Sequence, residues 1–91
     1  MPAKRQLNMS QREFLIVLAH AHVCGACRDK LLARPEAVFA GRALTQDEKQ
    51  RLTNLQFADF ITPEKLARAA GSEPAELDAF RDQPIVRLRH L

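Results

Sequence analysis

Between His20 and Cys27 the chain reads His-Ala-His-Val-Cys-Gly-Ala-Cys, with Arg28 following. Those eight positions hold both cysteines and two of the three histidines. On a helix, His20 and Cys24 lie four apart and Cys24 and Cys27 three apart, so all three fall on one face. Imidazole nitrogen and thiolate sulfur are the ligand types zinc favours, and this spacing lets them converge on one Zn2+ ion. Two other readings of the same residues stand beside it. A C-x-x-C pair at a helix start has a depressed thiol pKa, which Arg28 would lower further, and so can do redox chemistry. Cysteine also packs as a small apolar side chain, with no ligand at all.

The elements that hold this cluster read as helices. Ser10-Gln11-Arg12-Glu13 has the pattern of a capping box, in which Ser10 accepts from the backbone three residues on and Glu13 reaches back. It opens a helix from about Gln11 to about Val23, apolar almost all round and therefore central in the fold. Gly25 weakens helix propensity, so the chain either continues or breaks between Cys24 and Arg28. A second helical piece, Ala26 to Ala33, presents Leu31 and Leu32. Pro35 starts a short helix to Ala40, closed by Gly41. Thr45 and Glu48 form a further capping box before a helix carrying Leu52 and Leu55. Thr62 caps a helix with Pro63 in its first turn, Gly71 ends it, and Ser72 caps a last helix, Glu73 to Arg81. The expected fold is all-α, a single domain over 1–91 of about five short helices, with a basic arm (1–9) and an extended basic tail (84–91).

Composition narrows the function classes. A hydrophobic content of 46% argues against disorder. No apolar run approaches the roughly 20 residues that span a bilayer. No secretory signal follows the basic start, which gives a cytoplasmic expectation, where thiols stay reduced. The net charge of +3 is compatible with nucleic acid without requiring it. Catalysis has little support: Ser10 and Ser72 serve as caps, and no Gly-rich phosphate loop is present.

The run His20-x3-Cys24-x2-Cys27-Arg28 resembles the zinc-binding signature of zinc-associated anti-sigma factors, and the likeness extends through Asp29-Lys30-Leu31-Leu32. The resemblance implies zinc held by His20, Cys24 and Cys27, and a helical domain that wraps a sigma factor. Residues 1–19 hold no His or Cys, so the fourth ligand falls to His22, with His90 and Asp29 as further candidates. Leu66 to Phe80 resembles a helix-turn-helix, with Ala67 at the crossing, Gly71 in the turn, and Leu66, Ala70, Leu77 and Phe80 inward. Its second helix offers Glu73, Glu76 and Asp78, which would face phosphates, so nucleic acid is not the expected partner. Residues 27–38 with 44–49 look like the helical small subunit of extradiol ring-cleaving dioxygenases and are similar to leader regions of some modified-peptide precursors. Those likenesses support the fold and place no chemistry.

The chain therefore reads as a non-catalytic protein-binding regulator ordered by zinc. Its alternatives are a metal-free accessory subunit of a larger assembly and, third, a helix-turn-helix DNA-binding protein. Candidate partner contacts are Phe57, Phe60 and Ile61, with core packing the better account for at least two of them, and Arg87 and Arg89 in the tail.

Overall fold

In the computed structural model, the residues described are 8–81, Gln83, Pro84, Val86 and Leu91. Among the described residues, six bounded α-helices follow one another: α1 (Met9–Val23), α2 (Gly25–Ala33), α3 (Pro35–Phe39), α4 (Gln46–Thr53), α5 (Pro63–Ala69) and α6 (Pro74–Arg81). A 3-10 turn, Phe57–Phe60, separates α4 from α5. No strand occurs among the described residues, so the all-α single globule stands.

Helix α1 is the axis of the fold. Every residue from Phe14 to Ala21 is buried. One stripe of a surface helix could not produce that pattern, whereas a helix surrounded by neighbours does. Helices α2, α5 and α6 pack against it, and Leu31, Leu66, Ala67, Ala70 and Leu77 enter the same core.

The helix start differs from the expected one. Asn8, not Ser10, caps α1: its side chain accepts from the Gln11 N–H at 2.8 Å, and Gln11 Oε1 accepts from the Asn8 N–H at 3.0 Å. Asn is at least as good a cap as Ser, and Gln completes the box as well as Glu. Glu13 is thereby available for another task. It pairs at 2.7 Å with Arg42, both side chains nearly buried, and Arg42 Nε donates to the Val38 carbonyl at 2.6 Å. This pair ties α1 to the end of α3.

Elsewhere the local signals hold. Thr45 and Glu48 cap each other, which accounts for Glu48 being buried: its carboxylate accepts from the Thr45 N–H at 2.9 Å. Thr62 accepts from the Lys65 N–H at 3.0 Å. Gly71 has φ of 73°, and the bonds Ser72 N–H to Ala67 O and Gly71 N–H to Arg68 O close α5 as a Schellman motif. Leu55 lies just beyond α4 and is still buried. At α6 the cap position falls to Glu73, whose carbonyl accepts from the Leu77 N–H, because Pro74 takes the first helical place. Within the expected extended tail, Pro84 and Val86 have helical backbone and Val86 is buried. Arg87, Arg89 and His90 lie outside the described residues, as does the basic arm up to Leu7.

Candidate metal centre

Cys24 is the corner on which the site turns. It is extended, with φ of −123° and ψ of 109°, and it is at once the C-cap of α1 and the N-cap of α2. Its N–H donates to the His20 carbonyl and its carbonyl accepts from the Arg28 N–H, each at 2.9 Å. The chain therefore breaks here, and the three residues do not share one continuous helix. His20 comes from the last turn of α1, Cys24 from the joint and Cys27 from the first turn of α2. The corner still converges them: one ligand atom from each lies within 4.8 Å of the others. This is a group able to hold a metal ion, as the residue types alone suggested.

His20 is 1% exposed, so both ring nitrogens need partners. Nδ1 meets the carbonyl of Val86 and Nε2 lies 3.1 Å from Cys27 Sγ. A carbonyl only accepts, so Nδ1 donates to it and Nε2 is the nitrogen that faces the Cys27 sulfur. That is the arrangement of a metal-bound histidine, whose second nitrogen commonly donates to a carbonyl that fixes tautomer and ring plane. Nothing near His20 in the sequence signals Val86, which is 66 residues away.

The two thiols are unlike. The Cys24 thiol is held below the usual range, first by the Cys27 thiol and then by the Cys27 backbone N–H, with burial opposing and the Ala26 N–H adding to the effect. Cys27 is 5% exposed, and burial pushes its thiol up. The Leu91 N–H partly offsets that burial, while the Cys24 thiol adds to it. The Leu91 carbonyl in turn accepts from Lys30 Nζ at 2.8 Å. Val86 and Leu91 thus hold the far end of the chain against the cluster.

His22 is not in the group. Two positions from His20 on a regular helix, it points to another side. Its Nδ1 is enclosed without a hydrogen-bond partner among the described residues, and its pKa is lowered, first by burial and then by Arg81. The three candidate partner residues separate as well. Phe57 and Ile61 are 61% and 69% exposed, whereas Phe60 is 8% exposed and belongs to the core. Of the three, Phe60 is the one directed into the core. Arg28 stacks on Phe57 at 4.5 Å, which places that exposed ring beside the cysteine corner.

No protein-family model matches the chain, and no curated protein or solved structure does either. Function must be argued from the site.

A cleft of about 370 Å³ between α1, α4, α5 and α6 includes Phe14, Glu48, Arg51, Gly71 and Glu73 in its lining and touches none of the three ligand residues. Arg51 crosses it, stacked on Phe14 at 4.8 Å and donating to the carbonyls of Ala70 and Gly71. That use is structural. At the α5–α6 corner Leu66, Ala67, Ala70 and Leu77 are buried and Phe80 is packed against the core. The solvent side of α6 carries Ala75, Asp78 and Ala79, after an exposed Glu73. With carboxylates where phosphates would sit, a random-sequence duplex at low salt is expected to show no shift with this chain in electrophoresis. A shift that weakens as salt rises would establish DNA contact instead.

Proposed function

We propose that this chain is a non-catalytic, protein-binding regulator whose helical array is ordered by a zinc ion on His20, Cys24 and Cys27. The observation that carries the reading is His20: a buried imidazole with Nδ1 on the Val86 carbonyl, Nε2 facing the Cys27 sulfur, and ligand atoms of His20, Cys24 and Cys27 within 4.8 Å of one another. The donor set of one nitrogen and two sulfurs fits zinc better than magnesium or calcium, which take oxygen ligands. Bound there, zinc would tie α1 to α2 and add its binding free energy to folding. The fourth position would go to water or to a group from a partner. Phe57 and Ile61, exposed beside Arg28, supply the apolar contact for that partner. In its finest form, following the resemblance to zinc-associated anti-sigma factors, the partner is a sigma factor. The alternative is an accessory subunit that uses the same exposed pair and binds no metal.

Metal content of chain purified without a metal-affinity step separates the two. Zinc at about one ion per chain, as a single site gives, and its loss in both Cys24→Ser and Cys27→Ser, is the expected result. Metal-free protein after growth in zinc-supplemented medium would overturn the zinc reading and favour the accessory subunit.

A further inference from the structure

We infer that Cys24 and Cys27 form a thiol–disulfide exchange pair, in which Cys24 attacks a small anionic disulfide, Cys27 resolves the adduct and His20 accepts the Cys27 proton. This goes beyond the zinc reading and does not depend on it: it concerns the same residues with no ion between them.

Three features of the corner carry it. The first is the division of roles by depth. Cys24 is half-buried at the N-terminus of the nine-residue helix α2, and Cys27 is buried one turn further in. Their sulfurs lie within 4.8 Å, which puts Cys27 within side-chain reach of an adduct on Cys24. The second is access. Gly25 and Ala26, between the cysteines, are exposed and nearly without side chain. A Cβ on Gly25 would have 3.6 Å to its nearest neighbour, the Arg28 guanidinium. That cation, held against Phe57 and paired with Asp29 at 3.1 Å, lies beside the exposed Gly25. It favours a disulfide that carries carboxylates. The third is a nitrogen beside the buried thiol. His20 Nε2 lies 3.1 Å from Cys27 Sγ, while Nδ1 is turned to the Val86 carbonyl.

The steps balance as one two-electron exchange per chain. The Cys24 thiolate attacks one sulfur of the disulfide. The S–S bond breaks, and the departing thiolate takes a proton from solvent. Cys27 then gives its proton to His20 Nε2 and attacks Cys24 Sγ. The mixed disulfide breaks, and the second thiolate leaves with the proton that His20 returns. Two protein thiols become one disulfide, and the substrate disulfide becomes two thiols.

Oxidised glutathione, applied to the full chain after chelator treatment, tests this by intact mass following an alkylating quench. Wild-type chain is expected to lose two hydrogens and to resist alkylation at both cysteines. Cys27→Ser is expected to accumulate one glutathione on Cys24, while Cys24→Ser adds it on the order of 10-fold more slowly, because buried Cys27 has little access. His20→Gln is expected to slow closure on the order of 100-fold, with far-UV circular dichroism like that of the wild type reporting an intact fold. Wild-type chain that keeps both thiols would overturn the inference, as would equal adduct formation on the two serine variants. Chain that holds zinc yet stays a dithiol sinks only this inference; chain that forms the disulfide but holds no zinc sinks only the metal reading.

Discussion

Zinc supplied at about one hundred times its dissociation constant is expected to raise the melting temperature of this chain by roughly 10–20 °C. A ligand that binds only the folded state at that ratio stabilises it by about 2.7 kcal/mol. For a domain of this size each kcal/mol moves the midpoint by about 4–8 °C. The gain arises because the ion would bind only the folded arrangement that brings together the end of α1, the Cys24 corner and the start of α2, with His20 held by the Val86 carbonyl. His20→Ala and Cys24→Ser are each expected to abolish the shift. Differential scanning calorimetry with and without zinc reads it directly, and coincident transitions would show that no ion binds the native state.

Leu18→Ala is expected to cost about 2–5 kcal/mol, the range for removing a buried leucine from a close-packed interior. Against the 5–15 kcal/mol typical of small domains, that is enough to bring the chain close to unfolding at moderate temperature. Leu18 is fully buried in α1, the helix against which α2, α5 and α6 all pack, so the cavity would lie inside the shared core. Phe57→Ala, by contrast, should cost no more than about 1 kcal/mol, since the ring is largely exposed and gives up only its stacking with Arg28. Urea midpoints of the two variants, measured together, check both statements. A Leu18 variant as stable as Phe57→Ala would mean that α1 is not the structural axis. The pair also separates core from surface: if Phe57→Ala leaves stability alone but abolishes binding to a partner, the exposed turn beside the cysteine corner is the contact.

What could be read from the residues alone was what is decided within a few positions. Thr45 with Glu48, Thr62 with Pro63 and the positive φ at Gly71 are settled by hydrogen bonds and sterics that span three to five residues. The apolar surface of residues 14–21 likewise required a central helix, because no other placement could remove all of it from water. The ligand types at His20, Cys24 and Cys27 were legible for the same reason, since their identity and spacing lie within eight positions.

Tertiary structure decided the choices between local options of nearly equal free energy. Ser10 and Asn8 were both adequate caps, and the selection of Asn8 accompanies the engagement of Glu13 with Arg42, 29 residues away. The break at Cys24 was one of two paths open at Gly25, and the packing of α2 beside α1 fixed it. Phe57, Phe60 and Ile61 are alike in sequence terms; the core had room for Phe60 and left the others outside. Most consequential is His20, whose proton is placed by a carbonyl 66 residues along the chain. Sequence supplied the nitrogen and the sulfurs, but only the folded chain, by burying the ring against Val86, determined which nitrogen faces them.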